Sequence, residues 1–393
     1  MPKTLQAVKS ITDFAILLLM ASNRLDDWNF SDITYKQTQY LTHCFHPYPA
    51  KFIPQIPHRL IEMYTQKKED IVLDPFCGSG TTLVEAKLMG RPSIGIDTNP
   101  LAIMISKSKV NPIKKTELER NLSWLDNWKQ EELKALHPHE IFFYNNRAWF
   151  REDVLGQIEL ILAKIEEIED AKTRNFLKVA LSSILKGVSN ARMDRITPTL
   201  PKNPIYIDHK HYDRIVDNGR RSINVFSRLS SRLRLMQSRL ELFLSTASSM
   251  KAVACLGDAR ELEKINSDFL KEGRIKLVVT SPPYWSAFDY EKIHQLSISL
   301  LNRKRSSLNA EIGGRDFLNE MGKVYEQISK HLVEGGIFCL IIGRSKRRIN
   351  KRLAALGYKY GMPLHERFTR KIRNQAFFVK SIKSEEILVF QRE

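Results

Sequence analysis

The chain has 393 residues, of which 62 are Lys or Arg and 44 are Asp or Glu, leaving a formal charge of +18. That length holds one large α/β domain with an insertion, or two domains with sizeable cores, and the charge favours a polyanionic partner, nucleic acid before a membrane surface. Cys44, Cys77, Cys255 and Cys339 form no CxxC pair, which suggests neither a zinc site nor a disulfide framework and fits a reducing cytoplasm.

From the N-terminus, the apolar stretch FAILLLMA at 14–21 is too short to span a bilayer and is read as a core helix. The sequence IVLDPFCGSGTTLVEAKLMG at 71–90 then sets a strand, an acid, a glycine-rich turn and a helix in that order. Glycines let the backbone approach a ligand, and the free amides of a helix start face it, so this is a nucleotide-type site. An ordinary tight turn is the plain alternative for Gly78 and Gly80, and the flanking residues favour the ligand. One strand later, PSIGIDTN at 92–99 carries Asp97, where a carboxylate can take both hydroxyls of a ribose.

Between Asn111 and about Met250 the pattern becomes helical, as in VLGQIELILAKIEEIEDA and TRNFLKVALSSILKGV, with a basic, proline-bearing loop at 191–214. This block is read as an insertion. Strands resume with AVACLGDA at 252–259, IKLVVTSPPY at 275–284 and GIFCLIIG at 336–343, and a basic run follows at 343–352. Fully apolar runs alternating with helices predict a doubly wound, mostly parallel sheet covered on both faces. The last runs, AFFVKSI at 376–382 and EEILVFQR at 385–392, predict a terminal antiparallel hairpin on that sheet. Three segments follow: 1–112 as the cofactor half, 113–250 as the helical insertion, and 251–393 as the catalytic half.

DPFCGSGTT resembles the S-adenosylmethionine motif of amino-methylating DNA methyltransferases. The resemblance implies a class I methyltransferase fold, with Asp74, Phe76, Gly78, Ser79 and Gly80 at the amino-acid end of the cofactor and Thr81 and Thr82 at the helix start. HPYPAKFIPQI at 46–56 is similar to the family segment that closes over the methionine part, which places Ala50, Lys51 and Phe52 near the ligand; a solvated surface lysine is the plain alternative for Lys51. Asp258 occupies the place from which the family contacts the adenine amino group, and a helix N-cap is its plain reading. Tyr284 and Trp285 also admit a reading as core aromatics below a proline turn.

TSPPYW, directly after an apolar strand, looks like the catalytic motif of the members that methylate cytosine N4. Proline fixes its own φ and holds its predecessor extended, so Ser281, Pro282 and Pro283 form a rigid rail. A base amine is a poor nucleophile, and two fixed acceptors, the Ser281 side chain and the Pro282 carbonyl, can bias it towards attack. Tyr284 supplies an aromatic face for a base rotated out of the duplex, and Trp285 a further wall. The resemblance thus implies an S-adenosylmethionine-dependent enzyme acting on double-stranded DNA, with a cognate restriction endonuclease as the implied second partner.

Adenine N6, a base amine in RNA and a non-catalytic nucleic-acid-binding module are the alternatives. The family arrangement normally puts the adenine-contacting strand before its recognition insertion, whereas CLGDAREL follows the block here. The block is therefore either a recognition region, with arginines, Asn203 and His209 reading base edges, or a set of sheet-covering helices.

Overall fold

The computed structural model describes residues 27–49, 51–126, 146–193, 195–200, 223–283, 290–299, 312, 316–343, 349–372 and 384–393. Ala50, Tyr284, Trp285, Asn203, His209, the stretches 14–21 and 376–382, and 344–348 of the basic run lie outside them.

Seven strands form one sheet: β1 Ile71–Asp74, β2 Ser93–Asp97, β3 Ala252–Leu256, β4 Ile275–Thr280, β5 Leu332–Gly343, β6 Leu364–Lys371 and β7 Ser384–Gln391. Their spatial order is β3-β2-β1-β4-β5-β7-β6. The first five pair in parallel, and β7 runs antiparallel between β5 and β6. This is the expected class I methyltransferase arrangement. The order reverses between β1 and β4, and in open α/β sheets ligands bind beyond the strand ends at such a switch point.

The inner strands are largely apolar because both faces are covered. Leu73, Val278, Phe338 and Leu388 point to one side, where the helices α9 Phe317–His331 and α10 Ile349–Lys359 pack through Val324, Tyr325 and Leu353. Val72, Leu277, Val279 and Ile341 point to the other, against Ile56 and Leu60 of α1 Gln55–Tyr64 and Ala86 of α2 Thr81–Leu88. Six residues of α2, from Thr81 to Ala86, are buried, so this helix is enclosed on more than one side.

That enclosure comes from the insertion. Its helices α4 Lys115–Asp126, α5 Glu152–Glu166, α6 Ala171–Val188 and α7 Val225–Thr246 share one apolar core with α2 and with α3 Pro100–Val110. On α7 the buried Leu229, Leu233, Met236, Leu240 and Phe243 recur at helical spacing and form the inward stripe. Among its described residues, the block is a second helical layer laid over α3 on one side of the sheet.

One strand differs from the sequence reading. β7 pairs with Leu364–Lys371, from Leu364 opposite Phe390 to Lys371 opposite Ser384, so the terminal antiparallel pair exists with a partner other than 376–382. LHERFTRK is an edge strand whose alternate residues face solvent, and its charges hide the apolar run that marks a buried strand. Among the described residues, no helix is long and apolar enough to cross a membrane.

Candidate active site

At the switch point the chain leaves β1 at Asp74 and turns into α2. The turn is possible because Gly78 and Gly80 take left-handed backbone angles, φ 48 and 76. Ser106 of α3 donates from Oγ to the Gly78 carbonyl at 2.8 Å, and the Gly78 amide donates to Asp97 Oδ2 at 2.9 Å. The other Asp97 oxygen accepts the Asn99 amide at 2.8 Å. One carboxylate at the tip of β2 therefore shapes two loops.

Asp74 ties β1 to β4. Its Oδ1 accepts Thr280 Oγ1 at 2.6 Å and the Phe76 amide at 3.2 Å, and its Oδ2 accepts Thr82 Oγ1 at 2.6 Å. Thr280 is the last residue of β4, immediately before Ser281. The two strand tips thus meet, joined by a buried carboxylate. Burial raises both acids to about 6, with the donated hydrogen bonds pulling the other way.

A cleft with about 950 Å³ of open space, including its solvent mouth, lies over these tips. Asp74, Phe76, Gly78, Ser79, Thr81, Asp97 and Asp258 line it on the strand and loop side, Lys51 and Phe52 on the outer side, and Ser281, Pro282 and Pro283 at the end of β4. Twelve residues expected from sequence therefore face one space. Two others stand behind it: Gly80 abuts Ser106, and Thr82 is spent on Asp74.

Lys51 donates to the His43 carbonyl at 3.1 Å and to Gln39 Oε1 at 3.4 Å, and burial lowers its ammonium to about 8. It is held inside the wall rather than solvated. Asp258 lines the cleft, but its carboxylate is already engaged. Oδ1 accepts the Arg260 amide and Nε, each at 2.9 Å, and the Arg260 guanidinium continues to Glu320 of α9. The hydrogen bond from the Arg260 amide, two residues on, makes a local Asx turn in place of an ordinary N-cap.

Several wall residues had no separate signal in the sequence. Tyr48 lines the cleft, lies 3.3 Å from where a Cβ on Gly78 would sit, and stacks on His294 of α8 Tyr290–Ser299 at 4.7 Å between centroids. Ser106 acts only through a folded neighbour and no local pattern marks it, and Thr280 opens the TSPPYW motif, whose pattern says nothing of its bond to Asp74.

The site fits S-adenosylmethionine. Asp97 can accept from ribose hydroxyls, buried Asp74 suits the ammonium end of the cofactor, and Ser79 Oγ, buried in the cleft wall at the start of α2, has no hydrogen-bond partner among the described residues.

Comparisons with known proteins agree with this reading of the motif region. Residues 19–108 match the family model described as DNA methylase. The chain is 35% identical over 181 residues to the Type II methyltransferase M.MvaI of Kocuria varians, covering 44% of this chain and 40% of that protein. It is 27% identical over 268 residues to the Type II methyltransferase M.BsoBI of Geobacillus stearothermophilus, covering 65% and 51%. The chain thus spans about half or less of the length of these relatives. Among solved structures, an S-adenosylmethionine-dependent methyltransferase from Methanosarcina mazei is similar at a TM-score of 0.35, with 10% identity over 84% of this chain and 96% of that one. Residues 19–108 are thus similar to DNA methylases, and the sequence relatives that share this region are named as Type II methyltransferases.

Proposed function

We propose that this protein transfers a methyl group from S-adenosylmethionine to the exocyclic N4 amine of cytosine in a short sequence of double-stranded DNA. The observation that carries the reading is the sharing of one cleft by Ser281, Pro282 and Pro283 with Gly78 and Asp97. When bound, the cofactor supplies an electrophilic methyl carbon with a thioether leaving group. Ser281 Oγ and the Pro282 carbonyl each accept one N–H of the target amine, which frees its lone pair to form the new N–C bond as the C–S bond breaks onto sulfur. The methylated amine is strongly acidic and loses its extra proton to solvent, so the chain needs no strong base.

The net charge of +18 supports a duplex partner, because each phosphate neutralised releases counterions. A base inside a duplex has to rotate out to reach a rail at a strand tip. The relatives' names as Type II methyltransferases support a role beside a nuclease of the same specificity. The test is nucleoside mass analysis of DNA and of RNA, each treated with protein and cofactor. N4-methyldeoxycytidine is the expected product; N6-methyldeoxyadenosine moves the target to adenine, and a methylated base found only in RNA moves it off DNA. Ser281→Ala should lose transfer and keep S-adenosylhomocysteine binding, whereas a variant that transfers at the wild-type rate removes the acceptor rail.

A further inference from the structure

Beneath the outer wall of the cleft lies a buried carboxylate that the transfer chemistry does not use. Glu85 sits in α2, one turn past Thr81, and is fully buried. Its Oε1 accepts Tyr40 Oη at 2.7 Å and His43 Nε2 at 2.6 Å, and its Oε2 takes His58 Nδ1 of α1 at 2.8 Å. Burial disfavours the Glu85 charge, yet the two imidazoles hold its carboxyl at about 2. Three donors from two segments, Tyr40 and His43 on one and His58 on the other, therefore converge on one ionised group.

Tyr40 caps the start of a 3-10 turn, Leu41–Cys44, His43 lies within it, and the wall of the cleft begins just beyond it at Tyr48. The turn is strained: Leu41 is fully buried and takes a left-handed φ of 46, an angle that residues with a Cβ avoid. Such backbone persists where the surroundings over-determine it. Here Glu85 grips the residue that caps the strained turn, Tyr40, and one inside it, His43. The His43 that donates to Glu85 also offers its carbonyl to Lys51 Nζ at 3.1 Å, and Lys51 lines the cleft.

We propose that Glu85 is a positioning residue for cofactor capture: it clamps Tyr40 and His43 and, through the His43 carbonyl, sets Lys51 and the wall that runs on to Phe52. This rests on the reading of the cleft as the S-adenosylmethionine site. The clamp acts on binding and not on the transfer step, because none of its members lies on the Ser281 side.

The experiment compares S-adenosylhomocysteine binding by calorimetry, and steady-state transfer to DNA, in wild type, Glu85→Ala, Glu85→Gln and Tyr40→Phe. Glu85→Ala frees the strained turn and should raise the dissociation constant at least tenfold, while kcat at saturating cofactor falls less than twofold. Glu85→Gln should restore affinity to within about threefold of wild type, since its amide oxygen can accept from Tyr40 and His43 while its nitrogen donates to a neutral His58. Tyr40→Phe removes one donor and should weaken binding two- to fivefold, which decides the matter if Glu85→Ala does not fold. Overturning results are a Glu85→Ala that binds within twofold of wild type, a Glu85→Gln as weak as Glu85→Ala, or a Tyr40→Phe of unchanged affinity. Wild-type protein without affinity for S-adenosylhomocysteine overturns the reading of the cleft itself, and this inference with it.

Discussion

Gly80→Ala tests the geometry of the cofactor turn most directly. Gly80 has φ 76, and a Cβ there would lie 2.7 Å from Ser106 Oγ, 3.0 Å from Ser106 Cβ and 3.2 Å from Ser106 Cα. Holding a Cβ-bearing residue in the left-handed region costs roughly 1–2 kcal/mol. The Oγ can rotate away, but the Cα belongs to α3 and cannot, so the turn must shift, and overpacking of this kind costs about 1–3 kcal/mol. The sum is about 2–5 kcal/mol of stability. Shifting the turn also breaks the Ser106 to Gly78 hydrogen bond and misaligns the Gly78 amide on Asp97, so cofactor affinity should fall at least about tenfold.

Gly78→Ala carries the same conformational cost, but its Cβ meets only the Tyr48 ring, at 3.3 Å, and a ring can move. It should lose about 1–2 kcal/mol in stability while displacing Tyr48 from the cleft. Equilibrium urea unfolding and calorimetric titration with S-adenosylhomocysteine separate the two effects. In a Gly80→Ala/Ser106→Ala double variant the closest contact is gone, and the loss should be smaller than the sum of the single variants. A Gly80→Ala protein within about 0.5 kcal/mol of wild type would refute the reasoning, because surface-like tolerance at that position contradicts the contact with α3.

Two further outcomes are expected. Because burial raises Asp74 and Asp97 to about 6, both are protonated below that pH, and the affinity for a cationic cofactor should fall as pH drops through about 6. Without ligand the same shifts act in reverse, since folded-state values above the unfolded ones stabilise at low pH and that contribution disappears as pH rises from about 4 to about 6. Asp97→Asn should flatten the acid limb of binding, measured by calorimetry from pH 5 to 7.5; an unchanged limb means other groups set it. Arg260→Ala leaves Asp258 and Glu320 without their shared partner and should weaken the cofactor by roughly threefold to tenfold, in line with about 1 kcal/mol for a part-exposed pair. Arg260→Lys should not restore it, because an ammonium cannot grip Asp258 through two nitrogens; a fully restored lysine variant would reduce the contact to simple charge.

Much of the fold was legible because its strands are buried on both faces. β1, β2, β3 and β4 each read as an apolar run ending in a turn or polar residue, and that ending places Asp74, Asp97 and the SPP rail at one edge. β6 was not legible: LHERFTRK exposes alternate residues at the sheet edge, so its burial comes from the β7 pairing and from Phe368 stacking on Trp28 at 4.7 Å. Asp258 was found as a cleft residue and its engagement was not, since the reach of Arg260 to Glu320 joins positions 60 apart in sequence.

Sequence alone determined the chemistry on offer: where the backbone can bend sharply, at Gly78 and Gly80, and where it stays stiff, at Pro282 and Pro283. Those are local properties, fixed by the presence or absence of a Cβ and by a closed ring. Only the tertiary structure decided that β1 and β4 lie side by side, so that Thr280 reaches Asp74 across 206 residues, and that Glu85, an ordinary helix glutamate on paper, is buried under three donors. A carboxylate's role depends on which partners surround it once water is gone, and that is settled by packing between segments far apart in the chain.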